Sequence, residues 1–556
     1  MLQRTSFQIV RRRCLKSPQN HIVCARKLLS SQAAAAATIT QAQTATHTVF
    51  PSIVIGANGK LEPQGSFAEA QSQYLNPDQD IVTQLRKSLD EAEMGVVAHY
   101  YMDVELQAIL NAVRQESNGA PTKIAIADSL AMGDAAVKMV EEAGVKSIAC
   151  LGVDFMAESV SAILERSGHG DVPVYRADPR AIGCSLAESA ERPAYRAWLQ
   201  NALKQNNPNG LLHVVYINTS MDTKATSAAT VPTITCTSSN VVKTMLQASA
   251  QVPGVRILYG PDTYMGENLV SLFDSICNSP ETWDDARIAR DLHPQHNRET
   301  LQRLRDSIDV FPNGNCVVHH MFGEEVVENV RQNYEDAFVT AHLEVPGEMF
   351  QIAMEKSMNQ KGCVGSTSDI LKFISAKVAE AASSNQSKSK SDRLKFILGT
   401  EAGMITSIVK SVEDILQQND SNIEAEIIFP VASEAVTATD SSSEDNTDLA
   451  IVPGVSGGEG CSTAGGCATC PFMKMNDIDK LCDVVDMVRD SSSSSNSSKH
   501  ELTLQSHAPP RRLQGKMLNG VSATDLGVQP ILHMRKLMNE EQLSEDLVER
   551  MLQHRS

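Results

Sequence analysis

Cysteine is the residue type here best able to hold a metal or attack a substrate, and three cysteines stand close to glycine or proline in separate regions. In Gly183-Cys184-Ser185-Leu186-Ala187 the thiol sits where a helix would begin, and amide dipoles there favour thiolate; a buried structural cysteine would read alike. Gly314-Asn315-Cys316-Val317-Val318-His319-His320 sets Cys and His three apart, so both could face one ligand, or a buried thiol could lie beside surface histidines. Cys461-Ser-Thr-Ala-Gly-Gly-Cys467-Ala-Thr-Cys470-Pro is the densest run. Its glycines let amides approach sulfur, and its Cys-Pro ending suits an iron–sulfur centre. A zinc knuckle would need a fourth ligand from elsewhere.

A second set of polar residues follows short apolar runs. His99 and Tyr101 end one run, Tyr216 and Asn218 a second, His342 and Glu344 a third. Residues two apart on an extended strand point to the same side. Each pair alone reads as satisfied core; all three together suggest a shared site. Ser129, Ser238, Ser366 and Thr367 follow as hydroxyls at helix starts, where they can cap the helix or join its amides in gripping carboxylate or phosphate.

These residues need strands that converge. Three phrases recur in order: VVAHYY, IADSL and LGVDFM; then VVYINTS, TCTSSN and YGPDTYM; then VTAHLEV, VGSTSDI and LGTEAGM. Apolar runs with polar ends read as buried parallel strands whose carboxyl ends collect ligands. A triplicated α/β unit predicts one site with three similar walls, and Cys184, Cys316 and Cys470 fall one per wall. Helical periodicity over Asp78 to Ala92, a strand at Val96 to His99 and a helix over Val104 to Val113 open the alternation, which predicts three-layer parallel sheets. Low-complexity stretches at Ser383 to Ser391, Ala435 to Asn446 and Ser491 to Ser498 read as insertions and a linker. A helix is expected over Asn539 to Gln553, burying Leu543, Leu547 and Leu552. The expected division is 1–60 as a leader, α/β regions at 78–180, 181–310 and 311–480, and a linker and extension at 491–556.

The net charge of −18 argues against a sequence-independent hold on nucleic acid. No apolar stretch is long enough to span a membrane. The first acidic residue is Glu62, whereas Arg4, Arg11 to Arg13, Lys16, Arg26 and Lys27 precede it. A basic, acid-free, hydroxyl-rich start describes an organelle transit peptide; the arginine cluster favours the mitochondrion, with the plastid as alternative. Cysteines without a secretory signal do not suggest a disulfide scaffold.

Taken together, the phrases resemble the quinolinate synthase family, A-type, of NAD biosynthesis. The resemblance rests on His99-Tyr-Tyr101, Asp128-Ser129-Leu130, Gly183-Cys184, Tyr216-Ile-Asn218, Lys224-Ala225, Cys236-Thr-Ser-Ser-Asn240, Cys316-Val-Val-His319, His342-Leu-Glu344, Gly365-Ser-Thr367, Gly399-Thr-Glu401 and Cys470-Pro-Phe-Met473. The segment from Gln529 to Arg535 and the wide Cys461 to Cys470 spacing resemble its plant-type branch. The resemblance implies three αβα domains with pseudo-threefold symmetry around a 4Fe-4S cluster held by Cys184, Cys316 and Cys470. It implies substrate contacts at His99, Ser129, Tyr216, Asn218, Ser238, His342, Glu344 and Thr367, with Tyr101, His342 and Glu344 catalytic. The implied reaction condenses iminoaspartate with dihydroxyacetone phosphate to quinolinate, phosphate and water. L-aspartate oxidase or dehydrogenase is the implied source of iminoaspartate, iron–sulfur assembly machinery a further partner, and a homodimer an allowed assembly. His-Leu-Glu-Val stands where the family reads His-Pro-Glu-Cys, and Cys461 and Cys467 are either spare thiols or a redox-sensitive pair.

Two other readings compete. An aconitase-like 4Fe-4S hydro-lyase predicts activity on a single hydroxy acid. A non-catalytic iron–sulfur or zinc-binding protein predicts no need for the polar strand-end pairs.

Overall fold

The computed structural model describes residues 49–56, 59–115, 121–383, 393–419, 421–430, 470–493 and 503–553. The basic leader up to residue 48, the low-complexity stretches for the most part, and Cys461 and Cys467 lie outside the described residues.

Two strands, β1 (Ser52–Ile55) and β2 (Leu61–Gln64), open the ordered chain. Three groups of four follow: β3 (Met94–His99), β4 (Ile124–Ala127), β5 (Ser147–Leu151) and β6 (Val174–Arg176); β7 (Leu211–Tyr216), β8 (Thr233–Cys236), β9 (Arg256–Gly260) and β10 (Ile308–Val310); β11 (Phe338–His342), β12 (Gly362–Gly365), β13 (Arg393–Gly399) and β14 (Glu424–Ile428). Each group is a parallel sheet with its second strand outermost, then first, third and fourth: β4-β3-β5-β6, β8-β7-β9-β10 and β12-β11-β13-β14. Strands such as Met94–His99 and Leu211–Tyr216 are buried along their whole length, as a sheet covered on both faces requires. Helices between strands supply those covers. The fold is therefore the expected α/β architecture of αβα layers, repeated three times.

Register is repeated too. His99 lies opposite Ala127, Tyr216 opposite Cys236, and His342 opposite Gly365, so the first two strands of every sheet end level. Three polar residues thus occupy one equivalent position.

Three expected boundaries differ. Residues 52–55, assigned to the leader, pair antiparallel with β14 and with β2, extending the third sheet to six strands. Ile53 and Ile55 are fully buried there, which explains why the segment is structured. The stretch after Cys470, assigned to the third region, packs instead on the first sheet. Helix Ile478–Ser493 lies against helix Gln79–Glu91 and β5, burying Leu481, Val484 and Val485. Asn476 donates to the Gly152 carbonyl at 3.2 Å. At the C-terminus, helix Ala523–Glu540 ends at Glu541 in the left-handed region, φ 58°, and a separate helix, Glu545–Gln553, follows. The single helix expected over Asn539 to Gln553 is therefore broken, and Met551, not Leu552, joins Leu543 and Leu547 in the buried set.

The C-terminal helix Ala523–Glu540 covers the second sheet by packing on helix Met221–Thr230 and on β8. Gly527 permits that approach: a Cβ there would lie 3.0 Å from the Met221 carbonyl oxygen and from Leu513.

Candidate active site

The carboxyl ends of the three sheets face one cavity of about 70 Å³. Its walls contain His99, Tyr101, Ser129, Cys184, Tyr216, Asn218, Ser238, Cys316, His342, Glu344, Thr367 and Cys470. Every expected site residue is brought together.

The repeat explains how. From the level strand ends at 99, 216 and 342, the residue two further on is Tyr101, Asn218 or Glu344. From the partner ends at 127, 236 and 365, two further on is Ser129, Ser238 or Thr367. Neighbours of the cavity hydroxyls take the local amides. Asp128 accepts from the amides of Leu130 and Ala131, and Ser366 exchanges hydrogen bonds with Asp369, while Asn240 takes the Thr237 amide in the turn before its helix. Ser129, Ser238 and Thr367 are thereby left facing the cavity, where their hydroxyls can bind anionic groups.

His99 and His342 share one arrangement. Nδ1 of each accepts from the amide two residues on, Tyr101 at 3.2 Å and Glu344 at 3.3 Å. That fixes the ring proton on Nε2. Burial pushes both rings down to about 4, so they are neutral donors at physiological pH. Nε2 of His342 has no hydrogen-bond partner among the described residues.

Glu344 is the hub. It is 3% exposed and accepts a short hydrogen bond from the Tyr216 hydroxyl; its other oxygen lies 3.1 Å from His319 Nδ1. Burial opposes its charged form, but His319, His342 and the Tyr216 hydroxyl outweigh it and hold the carboxyl below its ordinary range. Burial and the nearby Glu344 raise the Tyr101 phenol.

The cysteines also occupy equivalent places, each after the fourth strand of a sheet and at the head of a turn. The amide four residues on bonds back to each carbonyl: Glu188 to Cys184, His320 to Cys316, Lys474 to Cys470. Amides of the same turns point at sulfur, those of Leu186 and Ala187 at Cys184, of His319 at Cys316, and of Phe472 and Met473 at Cys470. Burial pushes Cys184 up to about 11 and raises Cys316 and Cys470 further, and Cys316 feels charge on both other thiols. Three half-buried sulfurs close enough to repel as thiolates, each backed by amides, suit one shared cationic group and not three independent nucleophiles.

His319, read in the sequence as sharing a ligand with Cys316, lines the cavity beside it. Other contributors were not singled out from sequence. Glu401 also lines the cavity and accepts the Cys470 amide at 2.5 Å. Lys224, quoted above only as part of a phrase, is fully buried. Its ammonium donates to the carbonyls of Ile217 and Thr219 and to the Thr219 hydroxyl, bracketing Asn218. Its signal in the sequence was weak, since a lysine in a helix normally faces water.

Lys224→Met should leave those carbonyls unpaired and let Asn218 wander, raising KM by about tenfold, with kcat less affected. Burial pushes Lys224 down to about 7, against the pull of Glu158 and Cys236. A base whose folded pKa lies below its ordinary 10.5 costs stability progressively as pH falls from 10.5 through 7. Urea midpoints of the native chain should therefore rise between pH 7 and 10 more steeply than those of Lys224→Met. Parallel slopes would show that Lys224 is not the titrating group.

Repeated parallel sheets closing on a cavity lined by three thiols and a carboxylate define an α/β protein with a metal-binding type of site. The sequence pattern of the family described as Quinolinate synthetase A protein matches residues 82–500, and the chain belongs to that family. The family's members depend on iron–sulfur chemistry and form quinolinate from iminoaspartate and dihydroxyacetone phosphate for NAD biosynthesis. A protein of Nicotiana tabacum named Quinolinate synthase, chloroplastic, is 47% identical over 514 residues, 91% of this chain and 67% of its own length. The Arabidopsis thaliana protein of that name is 45% identical over 509 residues, again 67% of its length. Quinolinate synthase of Sulfurisphaera tokodaii is 29% identical over 263 residues, 47% of this chain and 62% of its own. The plant names say chloroplastic, which overturns the expectation of a mitochondrial address; a basic, acid-free leader does not by itself tell the two organelles apart. No helix among the described residues is long and apolar enough to cross a membrane.

Proposed function

We propose that the cavity is the quinolinate-forming active site and that Cys184, Cys316 and Cys470 hold a 4Fe-4S cluster in it. The observation that carries this reading is the convergence of three half-buried, amide-backed thiols on the cavity that also holds Glu344. Such a cluster, held by the thiolates of Cys184, Cys316 and Cys470, would supply a Lewis acid to the cavity.

The chain's own residues do the rest. Hydroxyls of Ser129, Ser238 and Thr367, with the amides beside them, grip the carboxylates and phosphate of iminoaspartate and dihydroxyacetone phosphate. His99 and His342 donate from Nε2 as neutral rings. Asn218, held by Lys224, orients the substrate. Glu344, with Tyr216 and His342 in contact, and Tyr101 nearby, carries protons for enamine formation, tautomerisation and water loss. Phe155, Met156 and Met473 exclude bulk water.

An aspartate-oxidising or -dehydrogenating enzyme would supply iminoaspartate, a cluster-assembly system would load the centre, and the leader would direct the chain to the plastid. A homodimer fits this reading without being required by it. Anaerobic reconstitution, iron counting and a quinolinate assay test the reading. It expects about four irons per chain and quinolinate only from both substrates together. Product formed by iron-free protein, or turnover of a single hydroxy acid, would reject it.

A further inference from the structure

One group of side chains in the cavity has a second coordination chemistry open to it. Sγ of Cys316, a ring nitrogen of His319 and a carboxylate oxygen of Glu344 lie within 4.8 Å of one another. His319 is 1% exposed, and neither of its ring nitrogens completes a hydrogen bond among the described residues. Its 3.1 Å approach to Glu344 is close but not aligned as a hydrogen bond. A buried imidazole normally finds a partner, so one left unsatisfied between a thiol and a carboxylate is a group waiting for a cation. The supports are already built: His342 stacks on the His319 ring at 4.9 Å with planes 14° apart, and the Tyr216 hydroxyl holds the opposite oxygen of Glu344.

We propose that the chain without its cluster binds one divalent ion of the zinc class through Cys316, His319 and Glu344, and that this ion blocks cluster loading. Sulfur, imidazole and carboxylate are the donors Zn²⁺ accepts, and three protein ligands leave a fourth tetrahedral position for water. Binding releases the Cys316 thiol proton to solvent and changes no oxidation state. The set uses one of the three cysteines assigned to the cluster, so the two occupants exclude each other. The blocking step rests on the cluster reading above, whereas the zinc site itself does not.

The test uses the full chain stripped of iron, with Co²⁺ as optical probe and Zn²⁺ for X-ray absorption. The expected result is one Co²⁺ per chain with a thiolate charge-transfer band and tetrahedral d–d bands, and a zinc shell of one sulfur with nitrogen and oxygen. His319→Ala should weaken Co²⁺ binding about tenfold or more, while Cys184→Ser and Cys470→Ser leave it unchanged. A shell of three sulfurs, or equal weakening by Cys470→Ser, would overturn the proposal. The shell is read on unmutated protein, so a misfolded variant cannot obscure it. Adding Zn²⁺ before reconstitution should prevent iron uptake; normal uptake over bound zinc would overturn the blocking step. Failure to take up iron even without zinc would instead count against the cluster reading.

Discussion

Glu344→Gln is expected to keep the fold and the iron content while lowering quinolinate formation by about 10²- to 10⁴-fold, the span of a positioned proton carrier. The amide matches the carboxylate in size, so the buried contacts with Tyr216 and His319 survive sterically. What disappears is the negative charge that His319, His342 and Tyr216 hold in place. The loss should appear in kcat as well as kcat/KM, since a group acting on proton transfer works in the transition state. Anaerobic turnover, normalised to iron per chain, makes the measurement. Turnover within a factor of a few of the native chain would remove Glu344 from the mechanism and leave it a support for its neighbours.

The second large effect separates the cysteines. Cys184→Ser, Cys316→Ser and Cys470→Ser should each abolish the brown cluster absorbance and activity together, because two thiolates do not retain the cube. Cys277→Ser and Cys482→Ser should change neither. Cys277 ends helix Thr263–Cys277, its sulfur 3.9 Å from the Arg298 carbonyl, and Cys482 lies on helix Ile478–Ser493; neither lines the cavity. Visible absorbance and iron counts on all five variants give the answer. A retained cluster in any of the first three would refute the ligand assignment.

The strand-end residues were legible because period two survives in the sequence: an apolar run followed by polar residues two apart is visible without knowing what pairs with what. His99, Tyr216 and His342 were found that way, and their level register shows why all three worked. The hydroxyls were only half legible. Whether Ser129 or Asp128 takes the amides at a helix start depends on backbone angles that no spacing encodes, and Asp128 takes them. His319 was legible beside Cys316 by its spacing, whereas Glu401 and Lys224 act through chain segments that meet only in three dimensions. β1 was hidden for the same reason. Its partner β14 lies at Glu424–Ile428, and a run of basic, acid-free residues before it drew the leader boundary too far. The strap after Cys470 followed sequence proximity to the third sheet, while its apolar face, with Leu481 and Val484, belongs to the first.

That strap gives Cys470 anchors in two lobes: its amide rests on Glu401, in the loop after β13, and Asn476, six residues on, is moored to Gly152 after β5. The Cys470 turn is therefore held from two sides at once. A shift of either lobe would carry this thiol away from Cys184 and Cys316, so the spacing of the three reports how those lobes are set.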